Sequence, residues 1–252
     1  MNILVLVKRV PDTASKIKVA ADQKTIEEGG VQFVLNPFDE YAVEAALQLK
    51  EKAGAGSVVV GTLGPKDAAA TIRTALAMGA DSGLHVKDDM QLRDPMSIAR
   101  SLASAIEKLD PKPELILAGR QAVDSQAMAV GPMVATLLGY PCVTDINKLE
   151  VTDGKATVEH DVEGGTETLE VTLPALLTTA KGLNEPRYAS LKGIMKAKRK
   201  KIVVSDVSVA EERTTITTMV EPPDRIGGKI VGEGVDAVPE LVRLLREEAK
   251  AL

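Results

Sequence analysis

Between Gly119 and Pro132 the sequence reads GRQAVDSQAMAVGP. The apolar run ELILA (114–118) leads into it, and a helical pattern over 125–138 follows. A glycine at such a junction lets the backbone come close to a ligand. The N–H groups at the start of the next helix can hold a phosphate. With Asp124 or Ser125 as the cap, the segment has the makings of an anion site. An ordinary strand-to-helix connection has the same composition. A second junction is LNPFDEYAVEAALQLKEK (35–52). Asn36 suits the N-cap, Pro37 the first helical position, and Asp39 the positive end of the helix dipole. A well-started helix accounts for all three. The functional alternative places the junction over a ligand, with Phe38 and the Asn36 amide near it. A third junction, GTLGPKD (61–67), opens a helix at Pro65. It has neither the phosphate-loop motif nor the dinucleotide fingerprint.

Side chains for bond-making chemistry are scarce. The chain has one cysteine, Cys142, and two histidines, His85 and His160. One thiol rules out an internal disulfide framework, and no metal site is expected. Cys142, beside Pro141, reads as a small buried thiol, and both histidines read as structural. No Ser/His/Asp set or useful pair of carboxylates stands out. Binding is expected rather than catalysis.

The basic run is the other unusual feature. Pro186–Lys201 holds seven basic residues and no acidic one, in a chain whose formal net charge is −5. Leu191, Lys192 and Gly193 read as a loop at its start. A solvated face accounts for the charge. Nucleic-acid binding is not expected, because the rest of the chain is acidic and no array of aromatics could stack on bases.

The elements that position these residues follow from patterning. The chain has no Trp, three Tyr and two Phe, so its core must be aliphatic. Continuous apolar runs at 2–7, 57–63, 83–86 and 114–118 read as strands buried on both faces. Helical patterns at 39–53, 65–79 and 94–108 separate them. This alternation predicts an α/β fold with a parallel sheet covered on both faces. KATVEHDVEGGTETLEVTL (155–173) alternates around Gly164-Gly165 as a hairpin, and 175–179 is apolar again. These strands are expected to extend the first sheet. Residues 202–236 contain little that could form a core, and 238–251 reads as a helix with Val238, Leu241, Val242 and Leu245 on one face. No apolar run reaches membrane-spanning length. The apolar strand pattern from Asn2 leaves no room for a targeting peptide, and a prokaryotic cytoplasm is the expected location.

Six segments together resemble the β subunit of electron-transferring flavoprotein: VKRVPDT (7–13), NPFDEYAVEAA (36–46), TIRTALAMGAD (71–81), GRQAVD (119–124), LNEPRYASLKGIMKAKRK (183–200) and VEHDVEGGTETLEVTLPALLT (158–178). The last departs at His160, where a Lys or Arg is usual. The resemblance spans nearly the whole chain in order. It implies a Rossmann-like, adenine-nucleotide-hydrolase-like domain over 1–185. Residues 186–252 would form a partner-recognition loop and a C-terminal arm packing on an α subunit.

By the same resemblance, FAD is held mainly by the α subunit at the interface, and the β pocket holds AMP or, in electron-bifurcating members, a second FAD. The pocket maps onto Leu6, Asn36, Pro37, Phe38, Asp39 and Leu63. It continues through the loop Gly119, Arg120, Gln121, Ala122, Val123, Asp124, Ser125, Gln126, Ala127, Met128, Ala129 and Val130. The stretch from Ser125 to Val130 matches neither the Asn-Gln-Thr of AMP-binding members nor the Gly-Asp-Thr-Ala-Gln-Val of bifurcating ones. Thr13 stands where AMP-type members often have Tyr. Partner recognition maps onto Leu191 as an exposed anchor, with Tyr188, Ile194, Met195, Lys196 and Lys198 around it. The implied role is a carrier taking electrons from dehydrogenases such as acyl-CoA dehydrogenases to a membrane quinone reductase, without membrane insertion. The alternatives are a bifurcating subunit that oxidises NADH and a flavin-free regulatory module that binds a nucleotide.

Overall fold

A computed structural model describes residues 1–89, 92–223 and 227–252. They divide into two compact units, Met1–Met219 and Val220–Leu252.

The first unit is built on a nine-stranded sheet among the described residues. Its parallel part comprises β1 (Asn2–Leu6), β4 (Ser57–Gly64), β5 (Ser82–Lys87), β6 (Leu115–Gly119), β10 (Ala175–Thr179) and β11 (Ile202–Val204). Strand β7 (Cys142–Thr152) also runs parallel, beside β10, and β8 (Lys155–Val162) and β9 (Gly165–Thr172) complete the sheet in the order β11-β5-β4-β1-β6-β10-β7-β8-β9. The hairpin β8–β9 turns at Gly164, and β8 pairs antiparallel to β7, so these strands extend the first sheet as expected. A separate two-stranded ribbon, β2 (Arg9–Pro11) with β3 (Phe33–Leu35), was not legible in the patterning.

Alternation along the strands sorts the core into two layers. Ile3, Val5, Leu115 and Leu117 face α1 (Pro37–Ala53) and α2 (Ala68–Met78), through Val43, Ala46, Ile72 and Leu76. Leu4, Leu6, Ile116 and Ala118 face α3 (Pro95–Glu107) and α4 (Val130–Leu138), through Leu102, Ile106 and Val134. The strands are buried on both faces, as continuous apolar runs require. The helix starts follow local chemistry. At α3, Pro95 takes the first position and Asp94 accepts from the N–H groups of Met96 and Ser97.

Five expectations need correction. Helix α4 begins at Val130, not 125, and Ala129 rather than Asp124 or Ser125 occupies its cap. A helix from 125 would carry Pro132 in its interior, where the ring removes a hydrogen bond and clashes with the preceding turn. The structure instead places Pro132 in the first turn, and Gln126 and Met128 take φ of 50° and 51° before it. Leu191 is not in a loop: it opens a short helix, α5 (Leu191–Ala197), whose Ser190 cap accepts from the Gly193 N–H at 3.0 Å. Helix α2 begins at Ala68, with Pro65–Asp67 as a preceding turn. Residues after 201 are not without core contacts. Strand β11 joins the sheet edge, and Val207 and Val209 pack on the α3 layer. The backbone there is tied down by Ser101 Oγ accepting from the Ala210 N–H at 2.9 Å. Finally, Cys142 is only half-buried, although burial pushes its thiol up to about 11.

The second unit contains a 3-10 turn at Val235–Ala237 and α6 (Val238–Glu247), shorter than the expected 238–251. Val238, Leu241 and Val242 are exposed along one side of α6. On the other, Arg243 pairs with Glu240 and Glu247, both at 2.8 Å.

Candidate functional site

The carboxyl ends of β1, β4 and β6 open into a cavity of about 600 Å³. Strand β1 lies between β4 and β6: the chain runs outward from it through β4 and β5 and then crosses back to β6 on its other side. Open α/β sheets place ligands at such a switch point. Leu6, Leu63, Ala118, Ile98 and Val130 give the cavity apolar walls.

The start of α1 is joined to the 119–124 loop by side chains of Asn36 and Asp39, both buried. Asn36 occupies the N-cap position but makes no capping bond with its side chain. Its Nδ2 donates to Asp39 Oδ1 and to the Gln121 carbonyl, each at 2.9 Å. Its Oδ1 accepts from the Val123 N–H at 3.1 Å. Asp39 in turn accepts from the N–H groups of Lys8, at 2.7 Å, and Gly119, at 3.0 Å. Burial pushes the Asp39 carboxyl up to about 7, against the pull of these three donors. Gly119 has its role here. A Cβ on it would stand 2.4 Å from Asp39 Oδ1 and 2.7 Å from Phe38, so the close approach it permits is to α1 itself.

Of the residues the sequence singled out, the cavity brings together Leu6, Asp39, Leu63, Gly119–Ser125 and Ala127–Val130. Asn36, Pro37, Phe38 and Gln126 lie outside its lining. Asn36 acts through Asp39 and the loop. Phe38 lies under the Arg120 guanidinium, 5.3 Å from ring centroid to Cζ. Arg120 also pairs with Asp145 at 2.8 Å. Two cavity residues that sequence reasoning missed are Lys8 and Arg93. Lys8 Nζ is held by both Asp124 oxygens, at 2.9 and 2.7 Å, across 116 positions of sequence. In the sequence Lys8 figures only as part of the segment VKRVPDT, two positions past the end of β1.

A second feature lies on α5. Leu191 is 85% exposed and Tyr188 98%, and Ile194 and Met195 are exposed beside them. The element under this apolar knob is fixed firmly. Arg187 donates to Glu44 Oε2 at 2.7 Å and to Glu51 Oε1 at 2.6 Å. Burial would raise the Glu44 carboxyl, but the Arg187 and Gln48 hydrogen bonds outweigh it and hold it below its ordinary value. Lys200 turns inward and donates to the Leu76 carbonyl at 3.0 Å and to the Ala80 carbonyl, closing the end of α2. Lys192, Lys196, Lys198, Arg199 and Lys201 remain exposed around the knob. The run thus divides between structural cations and a surface field.

No cluster of candidate metal ligands occurs among the described residues, and no described helix is long and apolar enough to cross a membrane.

A mainly parallel sheet with a crevice at its switch point defines an open α/β protein of Rossmann-like architecture. Residues 23–210 match the electron transfer flavoprotein domain. Electron transfer flavoprotein subunit beta from Bacillus subtilis is 42% identical, with all of both chains covered. The protein of that name from Dictyostelium discoideum is 40% identical over 99% of this chain and 98% of its own. The Homo sapiens one is 41% identical over 98% of each. The chain belongs to the electron transfer flavoprotein β-subunit family.

Proposed function

We propose that the chain is one half of a heterodimeric electron carrier. Its partner is the α subunit, which holds most of a redox-active FAD at the shared interface. The flavin, when bound, supplies the electron-accepting ring. This chain supplies the scaffold, the recognition surface and a cavity for an adenine nucleotide. AMP is the proposed occupant, with a second FAD as the alternative in a bifurcating subunit. The cavity's volume and apolar walls fit the ring part of either molecule. The carrier takes electrons from dehydrogenases, such as acyl-CoA dehydrogenases, and delivers them to a membrane quinone reductase. It works in the cytoplasm of a prokaryotic cell.

The observation that carries this reading is Leu191. An 85% exposed leucine on a helix anchored by Arg187 is a rigid apolar knob in a field of cations. Burying such a side chain on a partner contributes roughly 1.5–3 kcal/mol, which suits a transient complex with one small hot spot. The surrounding lysines would speed encounter with an acidic partner more than they tighten the complex.

Leu191→Ala is the test. Its melting temperature should stay nearly unchanged, as for surface substitutions within about 0.5 kcal/mol. Electron transfer from a dehydrogenase should slow about tenfold, the factor that corresponds to losing ~1.4 kcal/mol of anchor energy. Reduction by dithionite should be unaffected. An unchanged coupled rate would remove the anchor.

A further inference from the structure

We infer that the segment from Ser205 to Met219 is a strap that gates the cavity, so that a ligand enters and leaves only when the strap lifts. This deepens the reading of the cavity as a nucleotide site and rests on it.

The cavity lies between two rims. One is the start of α3 with the residues before it, through Asp88, Arg93, Pro95 and Ile98. The other is the 12–28 loop, through Asp12, Ser15, Ile17 and Ile26. After β11 the chain follows the first rim and then crosses to the second. The Ser205 N–H donates to the His85 carbonyl at 2.8 Å, at the end of β5. The Ala210 N–H donates to Ser101 Oγ at 2.9 Å, and the Ala210 carbonyl accepts from Arg93 Nη1 at 3.2 Å. Asp94 divides its carboxylate: Oδ1 caps α3, and Oδ2 accepts from the Arg213 N–H at 2.8 Å. The Met219 N–H then donates to the Gln23 carbonyl at 2.6 Å, on the loop of the opposite rim, and Met219 itself lines the cavity.

The crossing stretch is tied at its ends. Residues 213–218 are all exposed, so lifting them uncovers little apolar surface and breaks mainly the hydrogen bonds at either end. Segments of this kind open locally far more often than core strands do. Ser101 and Asp94 lie outside the cavity lining, so the bonds they make to the strap can be cut without touching a ligand. That gives the gate a kinetic signature. These bonds are to protein alone, and closing is equally favourable with the ligand in or out. A looser strap therefore raises the entry and exit rates by one factor and leaves the dissociation constant unchanged. Losing a contact to the ligand does otherwise: exit quickens alone and binding weakens.

The experiment uses the full-length heterodimer with radiolabelled AMP. Release is followed after a chase with unlabelled AMP, and the dissociation constant is measured by equilibrium dialysis. Two variants loosen the strap from outside the cavity. Ser101→Ala removes the acceptor of the Ala210 N–H, and Arg213→Pro removes the N–H that Asp94 receives. Release should be about tenfold faster in each, the effect of losing one hydrogen bond, with a dissociation constant within about twofold of wild type. Unchanged release in either variant would overturn the gate and leave the nucleotide reading intact. A dissociation constant that weakens as much as release quickens would overturn it too, because the strap would then belong to the binding surface. A wild-type heterodimer that takes up no AMP would overturn both.

Discussion

Asp39 concentrates much of the site's construction in one carboxyl group. Its oxygens accept from Asn36, Lys8 and Gly119, and so join α1, the end of β1 and the end of β6. A carboxyl oxygen accepts in either protonation state, whereas an amide nitrogen accepts in neither. Asp39→Asn should therefore cost about 1–3 kcal/mol, the penalty for leaving a buried donor unpaired. Its pH dependence has a definite sign. The native value of about 7 lies above the ordinary 3.8, so the group's stabilising contribution is complete below the ordinary value and is lost as pH rises through 7. The stability gap between wild type and variant should narrow over that interval in urea melts. A gap that widens with pH would contradict this assignment. Gly119→Val should destabilise by about 1–3 kcal/mol or more, because its side chain would enter the space of Phe38 and Asp39. The sequence revealed Asn36, Asp39 and Gly119 as special but not what they touch. The contacts that tie α1 to the 119–123 loop span 80 or more positions, beyond the reach of capping rules.

Helix α5 is held by contacts that its own sequence does not contain. Its backbone passes so close to α2 that a Cβ on Gly193 would stand 2.3 Å from the Ala77 carbonyl oxygen. Gly193→Ala should push α5 away, lower the melting temperature and slow dehydrogenase-coupled reduction together. Leu191→Ala should affect only the second. Arg187→Ala leaves Glu44 buried without its cation and should cost about 2–3 kcal/mol, less than a fully buried pair because Arg187 is partly exposed. Glu44 and Glu51 are both held below their ordinary values, so the pair's contribution is present above those values and lost as pH falls through the native ones. The difference between wild type and Arg187→Ala should shrink in acid, as chemical denaturation at pH 7 and pH 3.5 would show. The exposed leucine was expected from the family resemblance, but the helix was not. Seven residues are too short for a hydrophobic period to declare itself, leaving Ser190 as the only local signal.

For the molecule as a whole, the parallel sheet was legible because buried strands leave continuous apolar runs. Strands β7 and β11 were not: β7 mixes exposed polar positions with buried ones, and β11 is a three-residue edge whose pairing with β5 depends on chain return. That return matters for where the chain can be cut. Deletion of Val220–Leu252 should leave the first unit folded, with a cooperative melt, and abolish assembly with the α subunit. Deletion from residue 202 should also destabilise the sheet by removing β11 and the Val207–Val209 packing. A shortened chain ending at Met219 that still co-elutes with α and carries full flavin would remove the arm from the interface. The central claim, that this chain is the non-catalytic half of a one-flavin carrier, is tested most directly by the visible spectrum of the co-purified heterodimer. One flavin per heterodimer, bleached on addition of a dehydrogenase and its substrate, is the expected result. No flavin, or two, would contradict it.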